Sequence, residues 1–347
     1  MYSLNSEIKD IDGIIRIKID IPFDVKFVCI YIFDVNGQKF MIDSGFNMLA
    51  WKKRFLQALE EINLNLKEID YCLVTHEHLD HSGLVKYFKR INPNMQIMMH
   101  EITDESLHFG SDEDYAEIME QNALKVAEEV ISYGMNKSQI MRLLKGFLVW
   151  PKIVRYSKPD RILNDDDELH FKSTTLKIIQ TPGHSLGHIC VFDTQKKYLF
   201  SGDHILSRIT PHVGIYHIST LINEKRAPPN ILESYLKSLD KILQLNPKLI
   251  FPAHQDIIEN PHERIIQIQK HHHSRFNEIR KTINTKPLTP FEISKIHFGS
   301  DLDDINTYLA LNEVLSHLIY LEQQGKVKRI EKHGKTLFCS DCREPLN

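Results

Sequence analysis

The chain has few cysteines, no long apolar run and almost no net charge, and each shortage closes off a class of protein. Cys29, Cys72, Cys190, Cys339 and Cys342 are odd in number, and three of them lie inside apolar, strand-like runs. That usage does not build a disulfide framework and fits a reducing compartment. No stretch approaches the ~18 consecutive apolar residues of a membrane-spanning helix, and the start, Met-Tyr-Ser-Leu-Asn-Ser-Glu, lacks a cationic segment followed by an apolar one. A cytoplasmic protein with no membrane partner is expected. A formal net charge of −3 gives no general attraction to nucleic acid or to an anionic surface. What is present is ordinary: 347 residues, 42% hydrophobic and 26% charged, enough for a large core and for more than one average domain.

One stretch is not ordinary. Thr75-His76-Glu77-His78-Leu79-Asp80-His81-Ser82-Gly83 places His76, His78, Asp80 and His81 within six positions, directly after an apolar run. Imidazole and carboxylate together suit zinc and similar divalent ions. In an extended segment His76 and His78 point the same way and can reach one ion. Asp80 and His81 follow as the chain turns into a helix near Gly83, placed for a second ion. The competing reading is a polar turn that happens to be rich in histidine, and context decides between the two.

Three further apolar runs end in a ligand type. Leu176 to Thr181 is followed by Pro182-Gly183-His184, Tyr198 to Ser201 by Gly202-Asp203-His204, and Lys248 to Pro252 by Ala253-His254. Short strands that each deliver a ligand at the C-terminal end imply a sheet with one shared site at its edge. In order and type, these segments resemble the metallo-β-lactamase superfamily across about residues 10–260. The resemblance implies an α/β fold, the αββα sandwich. It also implies two divalent metal ions, zinc for preference: His76, His78 and His184 on one, Asp80, His81 and His254 on the other, and Asp203 bridging. It further implies hydrolysis by a metal-bridging hydroxide, with Asp80 as the catalytic residue that holds the nucleophile or relays its proton, and no serine or cysteine nucleophile. Asp43, after the hairpin turning at Asn36-Gly37, would brace a ligand from behind, and His188 and His204 would serve as substrate or supporting contacts. His78 stands where iron-dependent flavodiiron members carry Glu, which favours zinc hydrolysis. Ala253 and Gln255 replace the glycines that often flank the last histidine.

Outside the motifs, residues 50–68 read as one amphipathic helix carrying Leu56, Leu59, Ile62 and Leu66. A helical insertion at about residues 101–165 is acidic up to Val130 and basic beyond it. A charge run ordinarily marks a solvated face. The alternative is a cap over the site, with Met141, Leu143, Leu144, Phe147, Leu148 and Trp150 as its wall and Arg142, Lys145, Lys152 and Arg155 facing an anionic substrate. His100 and His108 are expected to be structural or solvated, and His271-His272-His273, about 100° apart on a helix, solvated.

Residues 1–284 are expected to form the hydrolase domain. From 285 to 347 a capping box at Thr289 to Glu292, a longer helix through Leu311, Val314, Leu315, Leu318 and Leu321, and a hairpin turning at His333-Gly334 make a small winged-helix-like domain. It resembles the tail of the subgroup that includes β-lactamase-like protein 2. Its second helix is not basic, so packing or homodimerisation is favoured over DNA readout, although Lys326, Lys328, Arg329, Lys332 and Lys335 could meet phosphate. Cys339-x-x-Cys342 is half a zinc knuckle and reads as incidental. The expected function is hydrolysis of a thioester, ester or lactone small molecule carrying an anionic group. An endoribonuclease is the alternative, and a non-catalytic scaffold is disfavoured because every ligand position is filled.

Overall fold

The computed structural model describes residues 4–22, 25–111, 115–147, 155–214 and 229–340. Its first compact unit gathers residues 1–112, 151–211 and 238–265 and is built on two sheets. The first sheet runs β1 (Ser6–Ile11), β2 (Ile14–Asp20), β3 (Phe27–Val35), β4 (Gln38–Ile42), β5 (Tyr71–Leu73), β6 (Gln96–His100) and β7 (Arg161–Leu163). It is antiparallel through β4 and parallel from β4 to β7. Asn36 and Gly37, both at positive φ, make the two-residue turn between β3 and β4. The second sheet has the order β12-β11-β10-β9-β8, from β8 (Glu168–His170), β9 (Thr175–Gln180), β10 (Ile189–Asp193), β11 (Tyr198–Gly202) and β12 (Leu249–Pro252).

Apolar faces of both sheets meet in one core that includes Tyr31, Phe33, Phe40, Ile42, Leu73, Ile178, Val191, Phe200 and Phe251. Phe33 stacks on Phe200 at 4.9 Å, and the Tyr31 hydroxyl donates to the Pro252 carbonyl at 2.6 Å. These contacts tie the β3 hairpin to the strands that carry the later ligands. Helix α1 (Leu49–Glu61) covers the first sheet with Trp51, Phe55, Ala58 and Leu59. The single helix expected over 50–68 is therefore shorter. It stops at Ile62, Asn63 takes a left-handed φ of 53°, and a separate 3-10 turn at Leu66–Glu68 closes its own capping box on Asn65. The competing local hydrogen bonds of asparagine end the helix where apolar spacing alone would continue it. Three more helices follow in this unit: α2 (Leu79–Ser82), α3 (Val85–Ile91) and α4 (Glu101–Ser111). The insertion that α4 opens also differs from expectation at its end, because residues 161–163 are the edge strand β7, paired in parallel with β6.

The second unit gathers residues 113–150, 212–237 and 266–347. Thus the insertion helices α5 (Tyr115–Ser132) and α6 (Lys137–Phe147) group with the tail, rather than with a hydrolase domain ending at 284. The cause is apolar. Ala127, Val130, Tyr133, Met135 and Ile140 share a cluster with Phe291, Leu311 and Leu315, and Leu143 and Leu144 pack on it. Arg142 makes a bidentate ion pair with Asp304, at 2.5 and 2.9 Å. Phe147's side chain and residues 148–154, including Leu148, Trp150 and Lys152, lie outside the described residues.

Two helices flank the last strand of the second sheet, α7 (Ile231–Leu245) before β12 and the long α8 (Pro261–Thr282) after it. His272, on α8, corrects the expectation of a solvated histidine run. Its ring is 1% exposed and lies 3.1 Å from His317, while His273 is exposed. The tail has the expected order: α9 (Pro290–Phe298) behind a Thr289/Glu292 capping box, α10 (Asp304–Gln323), and the hairpin β13 (Lys328–Lys332) and β14 (Lys335–Cys339). Helical rotation turns only the middle of the three consecutive histidines toward α10. Asn312, Ser316 and His317 of α10 are buried, so they cannot line a groove-facing surface. Cys342 lies beyond the described residues. Among the described residues no helix is long and apolar enough to cross a membrane.

Candidate metal centre

Each ligand segment leaves a strand at its C-terminal end. After β5 the chain passes through Val74 and Thr75 to His76, turns at Glu77 and His78, and enters the four-residue α2. Ser82 Oγ donates to the Glu77 and His78 carbonyls at 3.0 Å each, which closes the turn. Gly83 permits it: a Cβ there would fall 2.3 Å from the Leu79 carbonyl and 2.8 Å from the Gly45 carbonyl. Backbone bonds across the sheets set the depth of the segments, with Ile189 N–H on Thr75 O at 2.9 Å and Cys29 N–H on Ala253 O at 2.7 Å.

The seven expected ligands come together in two groups. His76, His78, His184 and Asp203 form one and Asp80, His81 and His254 the other, the ligand atoms of each lying within 4.8 Å of one another. In the first, His78 Nδ1 lies 2.9 Å from His76 Nε2 and 3.0 Å from His184 Nε2, and Asp203 Oδ2 lies 3.4 Å from His184 Nε2. In the second, Asp80 Oδ2 lies 3.3 Å from His254 Nε2 and 3.6 Å from His81 Nε2. Asp203 reaches this group too, at 3.5 Å from His81 Nε2 and 3.4 Å from His254 Nε2.

Supporting bonds choose which nitrogen faces inward. Asp43, at a left-handed φ of 64°, accepts from Thr75 N–H at 2.8 Å and from Thr75 Oγ1 at 3.1 Å, and pairs with His81 Nδ1 at 2.8 Å. His81 Nε2 is left to face the carboxylates, the bracing expected of Asp43. His254 Nδ1 donates to the Phe27 carbonyl at 2.5 Å, with the same result. His188 is such a support: its Nε2 accepts the Asp203 N–H at 3.1 Å and its Nδ1 contacts Thr181 Oγ1 at 2.8 Å. Gly202 makes room, since a Cβ there would lie 2.6 Å from His188 Nε2, and its φ is +49°. His204 is fully buried next to Asp203. His100 Nδ1 accepts the Ile102 N–H, and His108 stacks on Tyr156; neither joins the ligand groups. After the last ligand, Gln255 takes a φ of +68°, so the turn usually given to glycine is made here by glutamine.

Sequence reading missed one contact. Ser185 Oγ donates to Glu77 Oε2 at 2.5 Å, joining the residue between two ligand histidines to the residue after a third. They stand 108 positions apart in the sequence, and no local pattern links them.

The electrostatics divide the cluster. Burial pushes His76 and His188 well below the usual imidazole range and His204 down to about 3, so these rings are neutral. Burial opposes charge on His81 as well, but Asp80, Asp203 and Asp43 outweigh it and hold the ring well above its usual range. His254 is treated alike, burial being overcome by Asp203 and Asp80 and the ring raised to about 10. Asp203 stays ionised because His254 and His81 more than offset its burial. The carboxylates thus favour positive charge at His81 and His254, the side of the cluster nearest Asp80 and Asp203.

The donor set fits metal. His81 Nε2 and Asp203 Oδ1 are buried without a hydrogen bond and meet opposite charge only at 3.4–3.6 Å, separations that leave room for an ion between the groups. Ligand separations of 2.9–3.6 Å bracket the edge of about 3.3 Å in a tetrahedron with 2.0–2.1 Å metal–nitrogen bonds. Seven ligands exceed what one tetrahedral ion takes.

Comparison with known proteins agrees. Residues 24–254 match the metallo-beta-lactamase superfamily model, and residues 276–339 match the metallo-beta-lactamase-like C-terminal domain. "Probable metallo-hydrolase YqjP" of Bacillus subtilis is 22% identical over 91% of this chain and 94% of its own length. An atrochrysone carboxyl ACP thioesterase of Aspergillus fumigatus is 23% identical over 68% of this chain and 53% of its own length. The fold matches a metallo-beta-lactamase family protein from Thermus thermophilus with a TM-score of 0.77 at 22% identity, over 95% of this chain and 99% of the other. A beta-lactamase domain protein from Burkholderia ambifaria matches at 0.79 and 22%, over 96% and 94%. The chain belongs to the metallo-beta-lactamase superfamily and is a hydrolase.

Proposed function

We propose that this protein is a dinuclear metal-dependent hydrolase of small thioesters, esters or lactones, with zinc in both positions. The observation that carries the dinuclear reading is Asp203, whose carboxylate contacts ligand nitrogens of both groups at 3.4–3.5 Å. His76, His78 and His184 would hold one ion, and Asp80, His81 and His254 the other. Bound there, the pair would supply a water ionised near neutral pH and Lewis acidity toward a carbonyl oxygen.

The remaining work falls to the chain's own residues. Asp80 is the more exposed of the two ligand carboxylates, at 19% against 10% for Asp203. Although burial opposes it, the neighbouring His81 and His254 keep Asp80 well below the usual carboxylate range. It remains an acceptor and can orient an attacking water by hydrogen bonding. His76 and His188, neutral by burial, add no competing charge. Free Cys29, Cys72 and Cys190 are buried, and burial pushes their thiols to about 12 or above, so none is a nucleophile.

Thioester hydrolysis is supported by the relative named as an acyl-carrier thioesterase. The basic hairpin that would favour an endoribonuclease is partly engaged: Arg329 pairs with Glu322 at 2.9 Å, and Lys335 donates to the Ile131 carbonyl at 2.7 Å. Arg142, paired with Asp304, is likewise not a free anion contact, which removes one support for an anionic substrate. The test is a panel of acyl thioesters, lactones, phosphodiesters and single-stranded RNA on zinc-loaded protein, with elemental analysis. Two equivalents of metal and turnover on acyl substrates alone are expected. Asp203→Ala should reduce both together. A single tightly held ion in fully loaded wild type would refute the dinuclear reading, and turnover on RNA alone the substrate class.

A further inference from the structure

Resting on the metal-centre reading, we propose that Glu77 is a positioning residue that locks the three-histidine ion site by gripping Ser185. The two residues belong to segments from different sheets: Glu77 follows β5 of the first and Ser185 follows β9 of the second. Glu77 stands between His76 and His78, and Ser185 directly follows His184, so one hydrogen bond of 2.5 Å joins the two segments that carry the three histidines of one group. Ser185 is 1% exposed and its carbonyl accepts the Gly183 N–H at 3.3 Å, which fixes the turn carrying His184. Glu77 is fixed from its other end, because its carbonyl accepts from Ser82 Oγ at 3.0 Å. A backbone tie between the same two stretches of chain, Ile189 N–H to Thr75 O, lies on the strand side of the ligands. With both ties in place the segments are held on either side of His78 Nδ1, which meets His76 Nε2 and His184 Nε2 at 2.9 and 3.0 Å.

The grip has two parts that substitution can separate. The carboxylate accepts a hydrogen bond, and Glu77→Gln keeps an acceptor oxygen of the same reach. Glu77→Ala removes the acceptor, and Ser185→Ala removes only the donor oxygen. Because the tie acts on the spacing of ligands, its loss appears in ion affinity before it appears in folding. Partners that orient ligands without touching the ion typically account for about 10–100-fold in affinity.

The experiment measures zinc affinity of the full-length protein by competition with a chromophoric chelator, alongside the melting temperature of the metal-free form. Ser185→Ala and Glu77→Ala should each weaken the three-histidine equivalent by about 10–100-fold. The double variant should be no weaker than either single one, since both remove one bond. Glu77→Gln should stay within about threefold of wild type by keeping that bond. Metal-free melting should shift by only a few degrees, as expected for one lost hydrogen bond. Wild-type affinity in Ser185→Ala, which deletes a single atom and is least prone to misfolding, overturns the proposal on its own. So do additive losses in the double variant. A wild type that binds no zinc at all would instead remove the metal-centre reading beneath it.

Discussion

Asp43 does three things with one carboxylate: it caps the Thr75 N–H, accepts from the Thr75 hydroxyl and orients His81. Asp43→Ala should therefore produce two separable losses. Zinc affinity should fall by about 10–100-fold as His81 loses its brace. Metal-free stability should fall by roughly 1–3 kcal/mol because a buried N–H goes unpaired. Chelator competition and urea unfolding read the two, and an affinity loss without a stability loss would mean that Thr75 finds another acceptor. At this scale the convergence of the seven candidate ligands was legible because their chemistry is packed into local spacings: three histidines in six positions, and single candidates at strand ends. Glu77 and Ser185 were not, since their meaning lies in a contact between distant segments. Nor was His272, whose neighbours predict solvent and whose burial depends on α10 packing over it.

That histidine pair gives the α8–α10 junction a pH dependence. His317 donates from Nδ1 to the Glu313 carbonyl at 2.7 Å and meets His272 at Nε2. Burial lowers His317 to about 4 and His272 well below the usual range. Both are neutral when folded and protonate more readily when unfolded, so the unfolded state takes up more protons below about pH 6.5. Stability contributed here is complete above that pH and lost as pH falls toward 4. The wild type should lose up to about 1.4 kcal/mol per pH unit more than His317→Gln over this window, read as the difference between their unfolding free energies. Parallel pH curves would show that the ring is not neutral in the folded state. A second junction is tested by Thr289→Ala, which breaks the cap of α9 on both its hydroxyl bonds and should cost about 1 kcal/mol in denaturant unfolding. The cap and the tail's element order were readable from Thr-Pro-Phe-Glu and heptad-like leucines. The end of α1 was not, because asparagine's local bonds won over apolar period at Asn63.

For the molecule as a whole, all seven candidate ligands lie in the first unit, whereas the second is assembled from three separate stretches of chain. A chain cut before residue 285 leaves Val130, Tyr133, Met135 and Ile140 without Phe291, Leu311 and Leu315. Its melting temperature should drop by several degrees or the product should aggregate, while molecules that remain folded keep two equivalents of zinc. Loss of the metals from a folded truncate would contradict the placement of the ligands. The grouping of α5 and α6 with the tail was beyond sequence reading, since amphipathic helices announce that they need a partner and not which one.

The order of ligands along the chain also sets a timetable. His76 to His81 precede His254 by more than 170 residues, and at synthesis rates of about 5–20 residues per second roughly ten to thirty-five seconds separate their emergence. For much of that interval the nascent chain presents His76, His78 and His81 before the strands that carry Asp203 and His254 have been made. On the dinuclear reading, the second group cannot be complete until β12 has joined β11, so loading of both ions would be a late event in biogenesis.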